Sequence, residues 1–275
     1  MRIQKRLYVP AAISLLFSLS LIGCEGDEGP AGPPGSSTVY ITGKVASEPF
    51  MWPYGPPPYP TYAVLQISDL PSIPELKVNE IVCPVNTIIG DQISFLSENL
   101  PDQPGDSVHL SVNYMDSDSN SHQAWADVML PEVFSLILPD TSWEIQIPWE
   151  EDLELHWEAS SGADAYELYF HLSYDYWDTT GEYIYDYYSL DTTIADTHLT
   201  IPLAQIMPDT DTVDSTDGGW GELEIVAQNG PWQEGAPGNI QGDGEGFFYG
   251  RTQEGAQIQL QPPVGSGNNK TRGSK

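Results

Sequence analysis

The sequence predicts an all-β fold: two antiparallel β-sandwich domains in series. Three observations carry this. Apolar and polar residues alternate with period two in several short runs, the mark of strands with one buried face. The 25 glycines and 24 prolines among 275 residues cluster between those runs, where turns are needed. No segment sustains a helical period, and Val, Ile, Thr, Tyr and Trp are abundant.

The chain begins with Arg2, Lys5 and Arg6, followed by an apolar run from Ala11 to Ile22. That run has the length of a secretory signal and falls short of the ~20 apolar residues that span a membrane. It ends in Leu21-Ile22-Gly23-Cys24, which resembles the lipobox of bacterial lipoproteins. The resemblance implies that residues 1–23 are removed as a signal peptide and that Cys24 carries acyl chains, palmitate among them. Two chains already anchor stably, at ~0.8 kcal/mol per buried CH₂. Glu25 in place of Asp after the cysteine implies, by the sorting rule of enteric bacteria, an outer-membrane lipoprotein. Residues 24–36 then carry three Gly-X-Y triplets, Gly26 to Pro34, closed by Gly35, and resemble collagen. Three triplets are too few to hold a triple helix, so the expectation is an extended spacer. From Gly26 to Ser37 it would reach ~37 Å at ~3.1 Å per residue.

Without residues 1–23 the chain keeps six basic residues against 40 acidic ones, a formal charge of −34. No Lys or Arg lies between Lys77 and Arg251. Nucleic acid is thereby excluded as a partner, because phosphate binding needs a basic patch. Anionic headgroups would repel the body, leaving the lipid as its membrane attachment. Cys83, in Ile81-Val-Cys-Pro-Val85, is the one cysteine besides Cys24 and reads as a small core hydrophobe.

The first domain is expected over 37–138. Alternation is clear at Val39–Ile41, Ala63–Ile67, Val108–Tyr114 and Ala124–Leu130, with turn clusters at 68–74, 101–106 and 116–121. Short strands with regular turns argue for an immunoglobulin-like sandwich. Pro49 to Pro60 is a stiff loop carrying Trp52 and Tyr54. It suits either a preorganised binding surface or a cover folded over the end of its own sandwich. Asp116, Asp118 and Asn120, with Asp127 at the twelfth position, have the oxygen spacing of an EF-hand loop. Ser121 stands where that loop needs glycine and the flanks read as strands, so a polar hairpin turn explains the stretch.

The second domain is expected over 139–263. Leu153-Glu-Leu-His-Trp157 and Tyr166-Glu-Leu168 resemble strands B and C of a fibronectin type III domain, with Trp157 in the core and Tyr166 opening strand C. The resemblance continues through 197–202 as strand E, 221–229 as strand F and 247–260 as strand G. It implies a sandwich of two sheets. Gly221 stands where the family carries its strand-F tyrosine, so that corner hydrogen bond is absent.

Two features of this domain are candidate sites. Strand C and its return strand are long and tyrosine-rich. Leu168, Phe170 and Leu172 face the core, Tyr174 and Tyr176 continue past it, and Tyr183, Tyr185 and Tyr187 share one face of the return strand. Such an aromatic ribbon could grip a glycan or a protein at low entropy cost, or could stabilise the hairpin by cross-strand pairing. The acidic stretch holding Asp209, Asp211, Asp214 and Asp217 is read as a connection between strands E and F. Calcium is the cation its oxygens would suit, though no complete loop pattern is present. Residues 264–275 read as a polar, disordered tail.

No catalytic motif emerges. His109, His122, His156, His171 and His198 form no zinc signature, and there is no GxSxG elbow. The expectation is a non-enzymatic, lipid-anchored envelope module that binds glycan or protein, needs no cofactor apart from the calcium its acidic loop would suit, and faces either side of the outer membrane. A structural or assembly component of the envelope, stabilised by calcium, is the alternative, and a glycan hydrolase the third reading. Oligomeric state is not legible in the sequence.

Overall fold

The structure is a computed structural model that describes residues 39–47, 60–70, 72–139, 144–147, 151–206, 213–231 and 237–260, without the side chains of 144–146 and 213–217. Cys24, the spacer, Trp52, Tyr54, Asp209, Asp211 and the tail lie outside the described residues.

Eight strands precede residue 130: β1 (Val39–Ser47), β2 (Thr61–Ser68), β3 (Glu75–Val78), β4 (Ile81–Val82), β5 (Val85–Ile89), β6 (Gln92–Leu100), β7 (Ser107–Met115) and β8 (Ser121–Met129). Then come β9 (Leu136–Leu138), β10 (Glu144–Ile147), β11 (Leu153–Trp157), β12 (Ala165–Asp178), β13 (Tyr183–Ile194), β14 (His198–Ile201) and the single helical turn α1 (Leu203–Ile206). The chain closes with β15 (Val213–Asn229), β16 (Gln241–Gly242) and β17 (Gly244–Leu260). The expected alternation decides which side chains turn inward. In β7, Val108, Leu110, Val112 and Tyr114 are buried while the residues between them are not.

These strands form two immunoglobulin-like sandwiches that share one sheet. The first packs β2, β6 and β5, with β1 and the start of β17, against the five-stranded sheet β16-β8-β7-β3-β4. The second packs β13-β12-β15-β17, with β10, against the three-stranded sheet β14-β11-β9. Trp157 is fully buried and meets Tyr166 edge-on at 5.5 Å. The Tyr166 hydroxyl accepts from the Ser160 N–H at 2.8 Å.

Three differences from expectation concern how the sandwiches meet. The cores divide between Leu130 and Phe134, ahead of the expected break at 138/139. The sheets are not purely antiparallel, since β17 pairs in parallel with β1 and with β10. Most consequentially, β17 serves both bodies: residues 244–252 pair with β1 and place Phe248 in the first core, while 250–260 pair with β15 and place Ile258 and Leu260 in the second. A nine-stranded sheet, β13-β12-β15-β17-β1-β2-β6-β5 with β10 also on β17, therefore runs through the described residues. Polar side chains seal the seam. Thr252 Oγ1 donates to the Pro131 carbonyl at 2.6 Å. Asn229 accepts from Met129 N at 2.8 Å and donates to Gly162 O at 2.8 Å.

Candidate functional site: an aromatic sheet face

Because side chains alternate across a strand, the nine-stranded sheet has an inner face on the cores and an outer face away from them. On β12 the even residues point inward, and on β13 the odd ones point outward. The register sets Tyr187 beside Ser173 and Ser173 beside Trp220. It likewise aligns Tyr185 with Asp175 and Tyr183 with Trp177. Five large aromatic side chains thus share the outer face of β13-β12-β15: Trp177, Tyr183, Tyr185, Tyr187 and Trp220. Their exposure runs from 38% at Trp177 to 67% at Tyr185.

Hydrogen bonds and ring contacts organise part of this face. Tyr183 Oη donates to Asp175 Oδ2 at 2.7 Å, and its ring lies 5.1 Å from that of Trp177. The rings of Tyr187 and His171 are 6.2 Å apart, and His171 Nε2 pairs with Ser173 Oγ at 3.0 Å. The hairpin is closed by Asp178, whose Oδ1 accepts from Thr180 N at 2.9 Å and Glu182 N at 2.7 Å, with Gly181 at φ +82°. The Glu182 N–H and then the Thr180 hydroxyl hold the Asp178 carboxyl below its ordinary value. Glu222 and Glu224 follow Trp220 on the same face of β15. Burial, and then repulsion from Glu224, push the Glu222 carboxyl up. The result is a ring-lined surface rich in acceptors: Asp175, Glu222, Glu224 and the tyrosine hydroxyls.

The sequence reading needs correction at two tyrosines. Tyr174 and Tyr176 do not continue past the core; they are 4% and 7% exposed and belong to the second core. Their parity was legible, but the length of that core was not. Strand β15 begins at Val213, eight residues before the expected start, and α1 contributes Ile206 to the same cluster. Gly219 lies opposite Tyr174, where an added Cβ would stand 2.7 Å from the Tyr174 Cβ. Burial raises both phenols above their ordinary value. Asp186 is in register with Tyr174 and so lies on the other face from Tyr185 and Tyr187.

Trp220 went unread as a site residue. The signal was present: Leu223, Ile225 and Ala227 are the β15 residues that enter the second core, and Trp220 stands at the opposite parity, on the other face, where Val226 and Gln228 are buried and Trp220 is exposed. The close approach of β12 leaves no room for a side chain at Gly221 beside it. A Cβ there would run into the His171 carbonyl and stand 2.8 Å from the Leu172 Cα.

The C-terminal half of the acidic candidate stretch lies in a strand, and Asp209 and Asp211 lie outside the described residues. Asp214 and Asp217 belong to β15 and fall at its two register shifts against β12. Among the described residues no group of three metal-ligating side chains converges. The EF-hand spacing is likewise broken. Asp116 caps the β7–β8 hairpin, accepting from Asp118 N at 2.9 Å and Asn120 N at 2.8 Å, while Asp127 lies far along β8 opposite His109. His122 bridges Asp116 (3.0 Å) and Asp243 (3.2 Å), tying that hairpin to the turn before β17. Cys83 is a buried thiol, pushed up by burial.

No protein-family model and no curated protein matches the chain. Among solved structures it is similar to DIP-gamma IG1+IG2, at 8% identity and a TM-score of 0.21, over 82% of this chain and 99% of that one. A superposition that loose adds nothing to the strand order, on which the fold assignment rests.

Proposed function

We propose that this protein is an exported, lipid-anchored binding module whose outer sheet face holds a glycan. The observation that carries the reading is the set Trp177, Tyr183, Tyr185, Tyr187 and Trp220, solvent-exposed together on one regular face. Large apolar side chains in such a group are costly to leave in water and mark an interaction surface. Strand backbone fixes their spacing before any ligand arrives, which lowers the entropy lost on binding.

The chemistry of the face favours a neutral sugar chain. Aromatic rings pack against the C–H faces of pyranose rings, and the surrounding carboxylates and phenols accept from sugar hydroxyls. A formal charge of −34 after loss of residues 1–23 repels polyanions, so sulfated or phosphorylated glycans are disfavoured. The lipobox resemblance at Leu21–Cys24 supports attachment to the outer membrane through Cys24, with residues 24–36 as the spacer. Binding alone accounts for this surface, and no catalytic group is needed.

The test is a polysaccharide array probed with the soluble body, residues 37–275, and with its Tyr185→Ala/Trp220→Ala variant. Stacking contacts of this type are worth about 0.5–1.5 kcal/mol each beyond area burial. The double variant should therefore bind roughly 10-fold or more weakly while keeping its circular dichroism. Unchanged binding by the variant would refute the assignment of this face.

A further inference from the structure

The outer face of the nine-stranded sheet carries a second concavity, away from the five exposed aromatics. It lies over β17, β1 and β2, is lined by Thr42, Lys44, Val64, Gln66, Phe247 and Tyr249, and holds about 240 Å³. The register builds it from two adjacent rows, Phe247–Thr42–Gln66 and Tyr249–Lys44–Val64. The Phe247 and Tyr249 rings, 6.1 Å apart, form one wall. Lys44 Nζ sits 5.4 Å from the centre of the Tyr62 ring, and Gln66 Oε1 accepts from Gln92 at 3.1 Å. Gly43 lies between the rows and its backbone forms part of the floor; a Cβ there would point to the opposite, inner face, 2.7 Å from the Leu65 side chain.

We propose that this groove is a second sugar subsite, so that the protein grips an internal stretch of a neutral polysaccharide at two points. The inference rests on the glycan reading above. Size comes first: drug-sized ligands fill ~300–1,000 Å³, so this space suits a single ring. Charge decides the class of ring. The lining contains no carboxylate, so a cationic ligand gains nothing there, and the acidity of the whole chain keeps polyanions away. A neutral ring can lie against the Phe247–Tyr249 wall while its hydroxyls meet Lys44, Gln66 and Thr42.

Geometry then sets the length of the chain. Both subsites lie on the outer side of β17, because the odd residues Phe247, Tyr249 and Gln259 share a face and Gln259 is in register with Trp220. Ten residues of strand separate Tyr249 from Gln259, roughly 33 Å at ~3.3 Å per residue. Glu167, Gln228 and Arg251 form a linked polar group between the two. Gln228 Nε2 donates to Glu167 Oε2 at 2.6 Å, and Arg251 meets that carboxylate at 3.5 Å. A chain of several sugar units would span the two subsites and gain avidity that a disaccharide cannot.

The experiment measures affinity for size-graded oligomers of two and of eight units, drawn from β-1,4-glucan, β-1,3-glucan, β-1,4-mannan and chitin. The proteins are the unmodified body, Phe247→Ala/Tyr249→Ala, and Thr42→Trp, which fills the groove from its floor and keeps the test valid if the first variant misfolds. For at least one series, the eight-unit oligomer should bind ten-fold or more tightly than the two-unit one. Both groove variants should erase that gain and leave two-unit binding, made at Tyr185 and Trp220, unchanged. Binding that is independent of length, or a gain that survives both variants, overturns the second subsite and leaves the glycan reading intact. Failure of every oligomer at both lengths overturns the glycan reading and this inference together.

Discussion

At the residue scale, parity along a strand governs what each side chain can do. It places Tyr185 in water and Tyr174 in the core with no difference in chemistry between them. The same rule puts an ionisable group on the inner face. Glu254 lies opposite Ile225 of the second core, and burial pushes its carboxyl up to about 7. An acid raised in the folded state weakens folding as pH climbs. Below its ordinary value of 4.5 the group is neutral folded or unfolded, stability falls between about pH 4.5 and 7, and the loss is complete above that. Glu254→Gln should therefore raise the melting temperature at pH 8 and leave it nearly unchanged at pH 4.5. Equal shifts at both pH values would show that the carboxyl is not desolvated as described.

At the element scale, the long β12–β15 pair positions the aromatic face, and it depends on glycine. Gly219 and Gly221 let β15 lie against Tyr174 and Leu172, and Gly218, at φ +96°, adopts the backbone needed where the register shifts beside Asp175. Gly221→Ala should cost about 2–3 kcal/mol, read by urea unfolding. A variant as stable as the parent would contradict the close approach. Strands β11 to β14 were legible here because each has a clear alternation and a turn on either side. The start of β15 was not, because Asp214 to Gly219 reads as an acidic loop when only local composition is weighed. Pairing with the 14-residue β12 overrides that composition, as tertiary context does for weak β-formers.

At the scale of the whole molecule, β17 decides how the sandwiches relate. The sequence showed alternating regions over 37–138 and 139–263, which read as two domains joined end to end. It could not show that the last strand returns to pair with the first, because a pairing across some 200 residues leaves no local mark. The shared strand predicts joint unfolding. Phe248→Ala removes a fully buried ring from the first core, a change worth about 3–5 kcal/mol. Calorimetry should show one transition that moves down as a unit, whereas a second transition left at its original temperature would mean that the bodies fold independently. The same continuity gives the candidate site its support, since the aromatic face and the groove at Phe247 and Tyr249 are parts of one sheet. The central claim is that this face is where a ligand sits, and hydroxyl-radical footprinting with a polysaccharide found on the array tests it most directly. Protection should fall on Trp177, Tyr183, Tyr185, Tyr187 and Trp220. Protection confined to other surfaces, such as the exposed Ile88 and Ile89 of β5, with these five still fully reactive, would contradict it.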